Sequence, residues 1–265
     1  MIRLRDVHKT FDTTSVLRGV DLDVHAGQTT VVIGPSGCGK SVLLKHMAGL
    51  IRPDSGTVQF AGRPISAMKG RELAVLRRRM GFLFQGAALF DSLTVGANVC
   101  FPLIEHEVGT AEERRRRCQH VLALVGLDGF QDRWPEDLSG GEKKRVALAR
   151  AIAIGPDVIF YDEPTTGLDP IRADLINELI LRLKAALDAT AVVVTHDLHS
   201  ARRVGDRVLM LYNGHFIADT SAEKLDRVDN EVVARFVQGR ASPDELARIE
   251  TGPLGRMSPA GQESG

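Results

Sequence analysis

Thr29-Thr30-Val31-Val32-Ile33-Gly34-Pro35-Ser36-Gly37-Cys38-Gly39-Lys40-Ser41-Val42-Leu43-Leu44 decides how the rest of this chain is read. Its first five residues are all β-branched, the uninterrupted run expected of a strand buried on both faces. Glycines break the run, and from Val42 to Ala48 the apolar spacing becomes helical. Between the two lies G-x-x-x-x-G-K-[ST], from Gly34 through Pro35, Ser36, Gly37, Cys38 and Gly39 to Lys40 and Ser41. A strand before and a helix after are the context in which this pattern cradles phosphate. Glycines let successive backbone N–H groups turn inward, and the helix N-terminus adds positive potential. Lys40 is then placed for the β- and γ-phosphates of a nucleotide, and the Ser41 hydroxyl for Mg²⁺. Cys38 reads as a small residue that the loop can hold.

Working outward, strand and helix patterns alternate. Residues 16–24, 57–60, 80–84, 158–161 and 191–195 read as strands, and 171–187 as a helix. Asn213-Gly214 between 207–212 and 215–218 is a type I′ hairpin signal. From about residue 90 to 154 the patterns are helical, with a capping box, Thr110-x-x-Glu113, opening a helix through Val125. The expectation is an α/β class protein, a mixed-sheet core with an inserted α-helical subdomain. Arg114 to Arg117 read either as a phosphate patch or as the solvated face of that helix, with Glu112 and Glu113 ahead of them. Ser242-Pro243-Asp244-Glu245 reads as a helix start. The Gly- and Pro-rich residues after Thr251 read as a disordered tail.

Composition limits the function. Lys plus Arg and Asp plus Glu are each 34, so the 265-residue chain has zero formal charge. That weighs against nucleic acid as the main partner, which usually draws a basic excess. With 43% hydrophobic residues, wholesale disorder is excluded. No run of about 18 apolar residues would make a membrane-spanning helix, and the first residues do not read as a signal peptide. Three cysteines, Cys38, Cys100 and Cys118, are an odd number without metal spacing and read as reduced thiols.

Two further stretches carry chemistry. Val158-Ile159-Phe160-Tyr161-Asp162-Glu163 is a buried strand ending in two carboxylates, on the ligand side of a parallel sheet. Asp162 suits a Mg²⁺ shell, and Glu163 can polarise a water for in-line attack on the γ-phosphate. Leu138-Ser139-Gly140-Gly141-Glu142 opens a long helix. Serine, two glycines and a helix N-terminus make an anion site. Ser139-x-x-Glu142 is equally a capping box that needs no ligand.

Phosphate loop, pentapeptide and hydrophobic-Asp-Glu strand, in that order, resemble the ABC ATPase family. The resemblance covers residues 1–239, read as a nucleotide-binding core (1–89 and 156–239) with 90–155 as the helical subdomain. Residues 240–265 are a C-terminal extension. It implies an ATP- and Mg²⁺-dependent hydrolase. The pentapeptide Ser139, Gly140, Gly141 and Glu142 is then the signature motif, with Glu142 where glutamine is commonest. Phe11 matches the aromatic that stacks on adenine, a core role being the alternative. Gln85 matches the Q-loop glutamine, near Mg²⁺ and the attacking water. Asp169, in Thr166-Gly167-Leu168-Asp169, matches the D-loop at the dimer seam. His196 matches the switch histidine on the γ-phosphate. The resemblance also implies a head-to-tail dimer with a second copy, in which each ATP lies between one phosphate loop and the partner's signature. It further implies a separate transmembrane permease subunit.

Gln85-Gly86-Ala87-Ala88-Leu89-Phe90, with Phe101-Pro102-Leu103 beyond, looks like the Mla/Mkl subgroup. That implies phospholipid transport between bacterial membranes, on the cytoplasmic face of the inner membrane, with an MCE-type lipid-binding subunit. The small apolar residues after Gln85 should dock a helix of the permease, or pack inside the helical subdomain. Amino-acid import, lipoprotein release and a division-type regulatory ATPase are the alternatives. A DNA-repair or translation ATPase is disfavoured by the single cassette, the absence of heptads and the zero charge. The extension after Ser242 reads either as a clamp on the neighbouring ATPase or as a solvated tail.

Overall fold

The computed structural model of the chain describes residues 1–241. In chain order the strands are β1 (Ile2–Phe11), β2 (Thr14–Val24), β3 (Thr29–Ile33), β4 (Ser55–Phe60), β5 (Arg63–Pro64), β6 (Met80–Leu83), β7 (Val158–Asp162), β8 (Thr190–Thr195), β9 (Arg207–Tyr212) and β10 (His215–Thr220). The helices are α1 (Lys40–Met47), α2 (Arg71–Arg78), α3 (Val95–Glu105), α4 (Ala111–Leu124), α5 (Gly140–Ile152), α6 (Pro170–Leu187), α7 (Leu198–Val204) and α8 (Glu231–Val237). The helix start read at Ser242 and the tail beyond it lie outside the described residues.

The central sheet has the order β10-β9-β3-β8-β7-β6. Its members are parallel from β9 to β6, and β10 is the antiparallel edge. Asn213 and Gly214, at φ 48° and 82°, make the turn between β9 and β10. Those left-handed values are what a type I′ turn requires and what Asn-Gly tolerates best.

Strand alternation sorts the interior into two cores. Val31, Ile33, Ile159, Tyr161, Ala191, Val193, Val208 and Met210 face one side, and Val32, Val158, Phe160, Val192, Val194, Leu209 and Leu211 face the other. On the first side they meet Val95 and Val99 of α3, Val121 and Leu122 of α4, Val146 and Leu148 of α5, and Ile176 and Ile180 of α6. On the second side Leu43, Leu44 and Met47 of α1 join a second, antiparallel sheet of order β2-β1-β4-β5. Helix α1 is therefore held between two apolar layers, which fixes the loop that precedes it.

Strand β1 was not legible as such. Ile2 and Leu4 alternate with Arg3 and Arg5, but the register slips before Val7. Asp6 sits there at φ 48°, with its N–H bonded to Asp21 Oδ1 at 2.9 Å. A bulge shifts the face on which later side chains fall and erases a period of two.

Helix α4 opens with the reciprocal Thr110–Glu113 box. Its four arginines divide. Arg115 and Arg116 lie 3.0 and 3.7 Å from Glu112 on the exposed face. Arg114 instead donates to Val108 O at 2.8 Å, and Arg117 to Ala153 O and Ile152 O at 2.9 and 3.1 Å. Arg117 thus supplies donors to two carbonyls at the end of α5, of which Ile152 O also accepts from Gly155 N at 3.1 Å. Cys100 and Cys118, on α3 and α4, donate to Arg114 O at 3.6 Å and to Gly96 O at 3.5 Å, and all three cysteines are free thiols.

Replacing Arg117 with alanine should cost about 1–2 kcal/mol for the lost carbonyl bonds. Thermal denaturation should show a drop of roughly 2–8 °C, whereas Arg115→Ala should leave the melting temperature nearly unchanged.

Candidate active site

Because β3, β8, β7 and β6 are parallel neighbours, their carboxyl ends lie along one edge of the sheet. Gly34, His196, Glu163 and Gln85 follow these four strands. Residues far apart in the chain are thus delivered to one crevice, where ligands of such sheets bind.

The loop after β3 passes close under β2. Gly39 has φ 104°, and a Cβ there would lie 2.8 Å from Val16 Cγ1. Glycine is needed at this point for both dihedral and space. Lys40 begins α1 and is 6% exposed. Its ammonium donates to Gly34 O and Pro35 O at 2.8 and 2.9 Å and lies 3.7 Å from Glu163 Oε1. Next to it, Ser41 Oγ donates to Asp162 Oδ1 at 2.7 Å. Burial pushes the Asp162 carboxyl above its ordinary range, against the Ser41 hydrogen bond that favours its charged form.

Glu163 is 8% exposed and has φ 49°, an unusual backbone for a residue with a side chain. Its Oε2 accepts from Thr166 Oγ1 at 3.0 Å and Thr195 Oγ1 at 3.4 Å. His196 Nδ1 lies 2.9 Å from the same oxygen, on a side chain that is half exposed. Cys38 lies in the loop, and burial pushes its thiol up, away from the reactive thiolate form.

The Ser41 hydroxyl and the Asp162 carboxylate are hard oxygen donors facing one another, which fits Mg²⁺. That ion takes one or two protein oxygens and completes its shell with water and phosphate. Among the described residues, no group of three His, Cys, Asp or Glu side chains could form an all-protein metal cage.

Other expected residues lie apart from this cluster. Phe11 ends β1, is 44% exposed, and has Lys9 Nζ 5.3 Å from its ring centroid. It is not a core residue. Ser139 caps α5, and Glu142 reaches back to its N–H and hydroxyl at 2.8 and 2.6 Å. Those two bonds hold the Glu142 carboxyl below its ordinary range. Gly140 and Gly141 face Leu168 and Arg172. Asp169 caps α6, accepting from Arg172 N at 3.0 Å. Among the described residues, no hydrogen bond joins Ser139–Glu142 to the Lys40–Glu163 cluster. Gln85 is exposed at the end of β6.

Lys144 was missed by the sequence reading. It is 6% exposed and donates to Gln85 O and Glu163 O, both at 3.1 Å. A signal was present, because Lys144 falls on the buried stripe of α5 with Gly141, Leu148 and Ile152. A cation on an apolar stripe needs a buried partner. Thr195 carried no motif signal, Thr166 entered only as the first residue of the D-loop stretch and not as a partner of Glu163, and Arg150 was also missed. Its guanidinium donates to Ala87 O and Ala88 O at 2.9 and 2.7 Å, holding the loop after Gln85. That loop borders a groove of about 430 Å³ lined by Phe82, Phe84, Phe90, Phe101 and Pro102. Ala87 packs inside, whereas Phe90 and Phe101 stay exposed with ring centroids 4.7 Å apart.

The ABC transporter family model matches residues 17–166, spanning the loop, the Ser139 cap and the Asp162-Glu163 strand. The chain belongs to this family. It is an ATPase cassette, and it is similar to cassettes of several named systems. It is 38% identical to the intermembrane phospholipid transport system ATP-binding protein MlaF of Escherichia coli K12, over 98% of this chain and 94% of that one. It is 40% identical to the "Probable ribonucleotide transport ATP-binding protein mkl" of Mycobacterium tuberculosis, over 90% of this chain and 67% of that one. Among solved structures, the ATP-binding cassette MJ0796, in a dimeric post-hydrolysis state with ADP and Pi, superposes with TM-score 0.78. It has 35% identity over 84% of this chain and 99% of that one. The cassette cbiO1 of Clostridium perfringens, part of an ABC transporter complex, also gives TM-score 0.78, at 28% identity over 94% and 97% of the two chains. No helix among the described residues is long and apolar enough to cross a membrane.

The Glu142 cap has a definite pH dependence. Its folded pKa lies below the unfolded value, so its stabilisation is present above about pH 4.3 and fades as pH falls through the folded value. Glu142→Ala should therefore melt below the wild type at about pH 7, by a margin that shrinks as pH is lowered below about 4.3, as followed by circular dichroism.

Proposed function

We propose that Lys40, Ser41, Asp162, Glu163, Gln85 and His196 form the hydrolytic half-site for Mg²⁺-ATP. The observation that carries this is the Glu163 carboxylate, held between Lys40, Thr166, Thr195 and His196 at the edge where the phosphate loop ends. Lys40 moves from its loop carbonyls onto the β- and γ-phosphates, exchanging neutral acceptors for anionic ones. Ser41 and Asp162 would hold Mg²⁺, with Gln85 beside it, and the ion would supply positive charge at the phosphates. Glu163 accepts a proton from the attacking water. His196, within hydrogen-bond reach of that carboxylate, orients it and meets the γ-phosphate. Phe11, exposed at the end of β1, is the stacking surface for adenine.

Gly34 to Ser41 and Ser139 to Glu142 supply two separate anion sites, and one chain has one of each. Complete enclosure of ATP therefore takes a second copy, head to tail, with Asp169 at the seam. ATP bound between the copies favours the closed pair, and hydrolysis removes that preference. The dimeric state of MJ0796 supports this arrangement. The division into a core (1–89 and 156–239), a helical part (90–155) and an extension (240–265) is part of the same reading.

The aromatic groove beside Gln85 is the docking surface for a permease at the cytoplasmic face of a bacterial inner membrane. We infer that the cargo is phospholipid, supported by the MlaF likeness over nearly the whole of both chains. An MCE-type lipid-binding subunit would complete such a system. The mkl relative, named for ribonucleotide transport, provides the competing cargo.

Glu163→Gln should bind ATP within about 3-fold of wild type and lose about 10²–10⁴-fold in turnover. Equilibrium nucleotide binding and phosphate release check this, and retained turnover would remove Glu163 as the base. For cargo, the complex co-purified with its permease should move a labelled phospholipid between vesicle pools on ATP addition. Movement of a labelled ribonucleotide instead would overturn the lipid reading.

A further inference from the structure

Lys144 is buried at a junction that the motifs leave unexplained. It lies in α5, the helix that Ser139 caps. It spends two N–H donors on two different loops, one on Gln85 O and one on Glu163 O, each at 3.1 Å. Those loops end the adjacent parallel strands β6 and β7.

The backbone at Glu163 needs such support. Its φ of 49° is sparsely populated for a residue with a Cβ. The following residue is Pro164, which has no N–H with which to anchor the turn. Three hydrogen bonds hold the backbone of Glu163. Its N–H donates to Val194 O at 2.9 Å, and its carbonyl accepts from Lys144 Nζ at 3.1 Å and from Thr166 N at 3.3 Å. Lys144 gives the shorter of the two carbonyl bonds and comes from a different element, so removing it leaves the peptide after Glu163 held by the longer turn contact alone. A buried lysine is also costly unless it is well paired. Burial pushes the Lys144 ammonium down, whereas Glu163 and Asp162 favour its charged form. A leucine or methionine would fill the same stripe without that cost, so packing does not account for the ammonium.

We propose that Lys144 is a positioning residue for hydrolysis, setting the backbone of Glu163 and tying it to the loop of Gln85. It acts through Glu163, and so rests on the reading of Glu163 as the base. A second consequence is mechanical. Any tilt of α5, whose first turn carries the signature serine, moves the Gln85 and Glu163 loops together.

The test compares Lys144→Met, which keeps length without donors, Lys144→Arg, which keeps donors and charge, and Glu163→Gln. Melting temperature establishes that each variant is folded. In nucleotide-free protein, Lys144→Met should exchange amide hydrogens faster at residues 85–88 and 163–168, with the rest of the chain unchanged. Its kcat for ATP should fall about 10- to 100-fold, as expected for a misplaced catalytic group. KM for ATP should stay within about 2-fold, because the phosphate loop is untouched. Lys144→Arg should recover most of the turnover. Should the methionine variant fail to fold, Lys144→Gln, too short to span both carbonyls, replaces it under the same measures. The inference is overturned if kcat of the donor-free variant stays within about 2-fold of wild type. Unchanged exchange at the two loops, or no recovery with arginine, also overturns it. If Glu163→Gln keeps its turnover, the base assignment itself fails, and that outcome is read independently of the lysine variants.

Discussion

Four charged side chains are buried together at the carboxyl edge of the central sheet: Lys40, Lys144, Asp162 and Glu163. None of them could stay ionised alone in such a place. Two ammonium groups and two carboxylates balance, and each has specific hydrogen bonds. Lys40 and Ser41 come from the start of α1, Lys144 from α5, and the carboxylates from the last residue of β7 and the one after it. The neutrality of this cluster therefore ties three segments of chain to one point. Removing any member leaves an unpaired charge in an apolar setting, which costs several kcal/mol by order of magnitude.

The surrounding architecture serves that convergence. Strands β3, β8, β7 and β6 run in the same direction, so every loop they emit lies on one edge. Helix α1 is held between two sheets, and α5 lies on the opposite face in a core continuous with the strands. The phosphate loop is supported from one side of the sheet and the Ser139 helix from the other. Through Lys144 these two sides meet at Glu163. On the reading proposed above, a nucleotide entering at Lys40 would perturb a group that is already in contact with the helix that Ser139 caps.

Much of this was legible in sequence because it rests on local chemistry. The β-branched run before Gly34, the Thr110 box and the Asn213-Gly214 turn each have a short-range cause, and the structure shows the strand, cap and hairpin they imply. Strand β1 was lost to a bulge at Asp6. Helix α2, with a single buried residue, Leu76, had little apolar pattern to give it away. The arginines of α4 could not be sorted, because Arg117 is defined by the end of another helix rather than by its own neighbours.

The sequence by itself determined the fold class, the family and the residues proposed to bind phosphate, because glycine spacing, β-branching and capping act over a few residues. Only the tertiary structure decided how the charges are shared. Lys144 lies 19 residues before Glu163 and 59 after Gln85. Its role follows from strand order and from burial, two long-range properties that no local pattern encodes. The same holds for Glu163 itself. Its motif marks it as acidic at a strand end, but its reach to Lys40, Thr195 and His196 depends on which strands are neighbours in the sheet.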